Sequence, residues 1–217
     1  MLHRNEKSLR IIAGERRGWR IDSPRGRDVT RPITDRVKEN LFNIIQGLVP
    51  DAIVLDLFAG TGSMGLEALS RGANWVTFVE QHHEVAAILK SNVAKLRYET
   101  ASRVIHGDAL RLRPSVRDSG RVDMGNDLVF DLVFLDPPYP MLADELMRAK
   151  IGETLAELSS LGALAADATI IVRRESRTPG QYDWPGFELT RSRPYGSMTL
   201  DFLRPMAATS TESPPTQ

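Results

Sequence analysis

Ile53-Val54-Leu55-Asp56-Leu57-Phe58-Ala59-Gly60-Thr61-Gly62-Ser63-Met64-Gly65 decides the fold. The apolar run from Ile53 to Phe58 reads as a buried strand. Glycines then turn the chain, and Ser63–Ser70 reads as a helix with Gly72 just past its end. Outward from this stretch the pattern repeats. Trp75–Val79 reads as a second strand ending at Glu80, and His83–Leu96 as a second helix with Val85, Ile88, Leu89, Val93 and Leu96 on one side. Val104-Ile105, Leu128–Leu135 and Thr169–Val172 read as further strands, residues 143–161 as a helix, and Phe187–Thr190 and Met198–Phe202 as closing strands. In the 143–161 helix Leu146, Ile151, Leu155 and Leu158 form the apolar set. Alternating strands and helices imply an α/β fold, a mostly parallel seven-stranded sheet with helices on both faces.

Upstream, Ser8–Ala13 and Trp19–Ile21 flank Gly14-Glu15-Arg16-Arg17-Gly18 and predict a small β-hairpin. Thr34 or Asp35 caps a helix running to about Leu48, with Val37, Leu41, Ile44, Ile45 and Leu48 on its apolar face. Three regions follow: an N-terminal basic extension with the hairpin (1–34), the core (35–204) and a tail (205–217). Residues 207–217 are rich in Ser, Thr and Pro and are expected to be disordered. Residues 113–126, polar with two glycines, read as a loop insertion.

The 217 residues contain no Cys and four His, which excludes disulfides, a thiol nucleophile and Cys-ligated metal, and argues against a His-built zinc site. No metal is expected. No apolar run reaches bilayer length, and the N-terminal residues lack the apolar core of a signal peptide, so a cytoplasmic protein without a membrane partner is expected. Lys plus Arg balance Asp plus Glu at 28 each, but residues 1–38 hold eleven Lys/Arg against five acids. A basic end on an acidic body suits either a polyanion partner on one face or a solvated arginine-rich surface.

Four acids stand at or near strand ends. The spacing Gly60-x-Gly62-x-x-Gly65 after a strand fits a nucleoside cofactor at a helix N-terminus, and Glu80 fits a ribose-binding acid. These residues alone do not choose between NAD and S-adenosylmethionine. Asp56 tilts the choice, because a carboxylate before the glycine turn repels a pyrophosphate and suits a cationic amino-acid group. Gly107-Asp108-Ala109 follows the third strand, where a carboxylate can accept from an adenine amino group; Gly-Asp is also a common turn. Asp136-Pro137-Pro138-Tyr139 ends the fourth strand. An exocyclic amine of a base is a poor nucleophile because its lone pair is delocalised. Asp136 and the Pro137 carbonyl can each accept one amine N–H, holding the nitrogen near tetrahedral, while Tyr139 stacks on a base that is flipped or unpaired.

With these motifs the chain resembles S-adenosylmethionine-dependent methyltransferases with an Asn/Asp-Pro-Pro-aromatic motif. More closely it resembles the RsmD family of bacterial 16S ribosomal RNA guanine-N2 methyltransferases. The matching stretches include Arg10–Gly14, Thr30–Asn43, Leu55–Gly72, Val76–Glu80, His106–Ala109, Phe130–Tyr139 and Tyr195-Gly196. They span about residues 8–204 and the Arg-Ile-Ile-Ala-Gly and Thr-Arg-Pro-x-Thr-Asp-Arg stretches make the match specific. The resemblance implies a Rossmann-like class I methyltransferase core and a hairpin that helps dock RNA. It implies cofactor-binding roles for Asp56, Phe58, Gly60, Gly62, Glu80, Asp108 and Ala109, and catalytic roles for Asp136, Pro137 and Tyr139. Arg10, Arg16, Arg17, Arg31 and Arg36 become candidate RNA phosphate contacts. The implied cofactor is S-adenosyl-L-methionine, leaving as S-adenosyl-L-homocysteine. The implied partner is 16S rRNA in the small subunit or an assembly intermediate, bound by a monomer.

Two departures from the family stand out. Residues 113–127 form a long loop, and Arg173-Arg174-Glu175 puts basic residues where an acid is expected; neither is expected to touch the core motifs. Three other readings compete: a DNA adenine-N6 methyltransferase, an NAD-dependent oxidoreductase, and a non-catalytic RNA-binding assembly factor.

Overall fold

The computed structural model describes residues 9–24, 33–113, 122–123, 128–180 and 182–206. Seven strands form the main sheet: β1 (Ile53–Leu57), β2 (Trp75–Glu80), β3 (Ser102–His106), β4 (Phe130–Leu135), β5 (Leu164–Glu175), β6 (Phe187–Tyr195) and β7 (Met198–Pro205). Their spatial order is β3-β2-β1-β4-β5-β7-β6. The first five are parallel, and β7 runs antiparallel between β5 and β6. The helices are α1 (Asp35–Ile44), α2 (Ser63–Ser70), α3 (His83–Leu96), α4 (Tyr139–Ala143) and α5 (Glu145–Ser160). Among the described residues no helix is long and apolar enough to cross a membrane.

Strand alternation divides the core in two. Val54, Val76, Phe78, Leu132, Phe134 and Ile171 face one cluster with α1, α2, α3 and the N-terminal Ile11 and Ile21. Leu55, Leu57, Val79, Val133, Leu135, Ile170 and Val172 face the other with Leu142, Ile151, Leu155 and Leu158. The faces are those of a doubly wound sheet, as the strand–helix alternation implies. The strand order reverses between β1 and β4, which opens a crevice at their carboxyl ends.

Local differences from the sequence reading have local causes. The helix from Asp35 ends at Ile44, with Thr34 accepting from the Val37 N–H as its cap. Residues 45–48 are a turn leading to Gly47 and Pro50, and Leu48 is exposed rather than on an apolar face. The helix expected over 143–161 is α5, preceded by the short α4. Asp144 separates the two and caps α5 by accepting from the Met147 N–H at 2.9 Å. Leu146 is 74% exposed because it lies off the Ile151–Leu155–Leu158 stripe. β5 runs on through charged Arg173, Arg174 and Glu175 because the antiparallel β7 supplies partners from Leu200 to Met198. Leu112-Arg113 and Val122-Asp123 pair as a two-residue parallel ladder, so the expected loop insertion begins and nearly ends in strand; the rest of it lies outside the described residues, as does the tail from 207.

The N-terminal hairpin is narrower than expected. It keeps one antiparallel bridge, Arg10 with Arg20, flanked by Ile11 N–H to the Trp19 carbonyl at 2.9 Å and Ile21 N–H to the Leu9 carbonyl at 2.8 Å. Four of its other amides bond to α2 instead. Ile12 and Ala13 donate to the Glu67 carboxylate at 2.7 and 3.0 Å, Glu15 donates to the Ser70 carbonyl at 2.7 Å, and Arg16 donates to Ser70 Oγ at 2.9 Å. Gly14 permits this approach. Its φ is +80°, and a Cβ there would lie 1.7 Å from the Ser70 carbonyl oxygen. Gly14→Ala combines a left-handed backbone with a backbone clash, and is expected to destabilise the protein by about 2 kcal/mol or more in urea denaturation.

Candidate active site

The crevice at the β1–β4 reversal is a cavity of about 500 Å³. Asp56, Glu80, Asp136 and Arg173 line it. They share one strand parity with Val54, Phe78, Phe134 and Ile171, so alternation delivers all four to one face of the sheet. Asp56 stands level with Phe78 and Phe134, and Glu80 and Asp136 lie two residues further along their own strands. β1 and β4 end level at Leu57 and Leu135 while β2 continues to Glu80, and the chain from Phe58 to Gly60 turns out of the sheet. Phe58 takes a left-handed φ of 62° to make this turn.

Asp56 is 1% exposed, and its Oδ2 accepts from the Gly65 N–H at 2.9 Å. Burial pushes its carboxyl up to about 8; the Gly65 bond opposes this, and the Asp136 and Glu80 charges add to it. Glu80 accepts from Gly60 N–H with Oε2 at 2.9 Å and from His82 N–H with Oε1 at 2.8 Å. It therefore shapes the glycine turn itself, and each oxygen keeps a lone pair for a ligand. Asp136 follows β4 and burial raises its carboxyl above the usual range, opposed by the Arg173 charge and hydrogen bond. Pro137 is buried, Pro138 caps α4, and Tyr139 begins that helix on the cavity wall.

Several expected roles change. Gly62 does not line the cavity. It caps α2 with φ +86°, and a Cβ there would sit 2.4 Å from Leu89 Cδ1, so it serves packing. Phe58, Gly60 and Ala109 do line the cavity. The Asp108 side chain faces a neighbouring groove with Leu110 and Arg111. Its Oδ1 accepts from the Leu110 N–H at 3.0 Å, as a turn acid does, while Gly107 and Ala109 reach the main cavity.

The candidate RNA arginines also separate. Arg16 is built into the fold: Nε donates to the Leu96 carbonyl at 3.0 Å, Nη1 pairs with Glu15, and the guanidinium lies 5.5 Å from both the Trp19 and Tyr98 rings. Arg10 pairs with Asp35 at 2.8 Å on the surface. Arg17 and Arg36 are exposed and meet no acid among the described residues, and Arg31 lies outside them. Arg173 corrects the sequence reading most directly. It was expected to lie apart from the core motifs, yet its Nε donates to Asp136 Oδ1 at 2.5 Å. The signal was an unexpected charge after β5; only the register shows that it stands beside Asp136. Ile33, Met64 and Val85, all apolar cavity walls, carried no signal beyond their periodicity.

The sheet order, the acid-and-glycine turn after β1 and the Asp-Pro-Pro-Tyr turn after β4 define a Rossmann-like methyltransferase. The chain matches the family model described as "Conserved hypothetical protein 95" over residues 9–204. It is 36% identical over 173 residues to "Ribosomal RNA small subunit methyltransferase D" of Escherichia coli (strain K12), covering 80% of this chain and 78% of that one. The Haemophilus influenzae protein of the same name is 40% identical over 132 residues, covering 60% of this chain and 64% of that one. Among solved structures, yhhF from Escherichia coli superposes with a TM-score of 0.72 at 31% identity, covering 91% of this chain and 98% of that one. The chain belongs to this family, the RsmD family that its motifs resemble.

Arg16→Ala separates a structural from an RNA-binding role. It removes the Leu96 bond and both ring contacts, and is expected to cost about 1–3 kcal/mol of stability in urea denaturation.

Proposed function

We propose that this chain transfers a methyl group from S-adenosylmethionine to the exocyclic N2 of a guanine in small-subunit ribosomal RNA. The observation that carries the reading is the convergence of Asp56, Glu80 and Asp136 on one cavity, with the Pro137 and Tyr139 turn at its wall. The donor set fits the cofactor. Asp56, nearly inaccessible at the crevice floor, suits the ammonium of its methionine part, and Glu80 suits the ribose hydroxyls. Ala109 and the Gly107 backbone suit the adenine. When bound, the cofactor supplies an electrophilic methyl group.

The rest is the work of the chain's own groups. Asp136 and the Pro137 carbonyl accept the two amine hydrogens and direct the nitrogen lone pair into the cavity. Tyr139 offers a face on which the base stacks, worth about 1–3 kcal/mol. Catalysis comes from positioning and directed hydrogen bonds. Among the described residues no cluster of His, Asp and Glu could hold a metal ion. Arg17 and Arg36, with Arg10 and Arg31, are the proposed phosphate contacts, and the N-terminal segment carrying them is the proposed RNA-docking region; Arg16 is held by Leu96, Glu15, Trp19 and Tyr98 instead.

The test is transfer of labelled methyl to unmodified small subunits, naked 16S RNA and duplex DNA, with nucleoside analysis. N2-methylguanosine from a ribosomal substrate is the expected product; label on DNA adenine would overturn the substrate assignment. In the same assay Asp136→Ala is expected to lose turnover while binding the cofactor within about twofold of wild type, the signature of an interaction made only with the reacting amine. Asp56 adds a pH dependence. Its raised carboxyl is largely protonated at neutral pH, and an ammonium group favours the ionised form, so cofactor binding releases a proton. Affinity is expected to rise between about pH 6.5 and about pH 8.5 and to lose that slope in Asp56→Asn, as read by calorimetry in buffers of different ionisation enthalpy.

A further inference from the structure

Arg173 stands on β5 one residue beyond the row in which Val172 pairs with Leu135, and so beside Asp136. Its guanidinium Nε donates to Asp136 Oδ1 at 2.5 Å, and its side chain is only 10% exposed. The guanidinium carbon lies 5.9 Å from the centre of the Tyr139 ring. Among the described residues no donor meets the second Asp136 oxygen, Oδ2. Arg173 therefore touches both side chains assigned to the substrate base while leaving one carboxylate oxygen open.

We infer that Arg173 is the positioning residue for Asp136: it fixes the carboxylate plane through Oδ1, holds the group ionised, and leaves Oδ2 to accept the substrate amine. The inference rests on the reading of Asp136 as the amine acceptor. An amine offering N–H needs an acceptor, and a protonated carboxyl turns one of its two oxygens into a donor. The surroundings favour that unwanted proton. Burial is the largest influence in that direction, and Asp56 on β1, Glu80 on β2 and Glu175 on β5 are the other carboxyl groups on the cavity wall. His82 before α3 and Tyr139 on α4 are the other titratable groups on its walls. Arg173 is the one Lys or Arg among the described residues lining it. An arginine suits the role better than a lysine. Its planar fork stays charged at any working pH and sets the orientation of the carboxylate as well as its charge.

The test follows the Asp136 carboxyl by carbon NMR in full-length protein labelled at aspartate side chains, with the signal identified from Asp136→Asn. Arg173→Met is expected to raise the titration midpoint by about one pH unit or more, and Arg173→Lys by less. Arg173→Gln keeps a donor and much of the volume, and carries the same expectation where the Met variant does not fold. A midpoint unmoved by loss of the charge overturns the inference. With ribosomal substrate, the acidic limb of the transfer rate is expected to move with the midpoint, so that Arg173→Met is about tenfold slower than wild type on that limb and recovers at higher pH. A midpoint that moves while the rate profile stays still would leave the hold of Arg173 on Asp136 intact and refute the role of Asp136 as acceptor.

Discussion

The site depends on one constraint: successive side chains of a strand point to opposite faces. Asp56, Glu80, Asp136 and Arg173 come from four strands, and each shares the parity of the apolar residues beneath it. Slipping any one strand by a single residue would send its charge to the other face and its hydrophobic neighbours out of the core. Packing of Val54, Phe78, Phe134 and Ile171 therefore sets the register of the polar groups above them. The turn after β1 supplies the second requirement. It leaves a cavity at the carboxyl ends of the strands into which the carboxylates project.

The concentration of negative charge there has an electrostatic cost that the fold offsets unevenly. Asp56 leans on a helix amide, Gly65 N–H, and still favours its proton. Glu80 has two backbone donors and serves as a bracket for the turn. Asp136 has a full positive charge beside it. The three acids thus differ in their partners, and the one with a cation beside it is the one nearest the aromatic ring. A second buried pair nearby, Arg174 with Asp201 at 2.6 Å, ties β5 to β7.

Much of this was legible in the sequence because it lies in periodicity and punctuation. β1, α2, β2 and α3 follow from apolar spacing, the glycine turn and the acids at strand ends. The extent of β5 was not, since charged Arg173 and Glu175 join the sheet only through pairing with a strand that follows some twenty-five residues later. Nor was the break at Asp144, where one side-chain cap outweighs continuous helical composition. At the site, residue types were legible and partners were not. Nothing local in Arg16 distinguishes it from Arg17, yet one is enclosed by Trp19 and Tyr98 and the other is in solvent. Asp108 looked like a ligand because of its position after β3; its Oδ1 also accepts from the Leu110 N–H of its own turn, a partner the sequence did not show.

The N-terminal segment leaves a larger mark on the molecule than its single bridge suggests. Fully buried Glu67 takes the amides of Ile12 and Ala13 and also meets Lys38 and Arg71. Buried Asn92 on α3 exchanges hydrogen bonds with the Asp22 backbone and donates to the carbonyl of Thr61 in the glycine turn. These acceptors and donors belong to the two helices beside the crevice, and the hairpin supplies two donors to Glu67 and two partners to Asn92. Cutting the chain before α1 would remove those bonds from a buried carboxylate and a buried amide. The hairpin and the core therefore share buried hydrogen bonds, and a graft of this crevice onto another α/β scaffold that keeps them has to bring residues 9–24 with it.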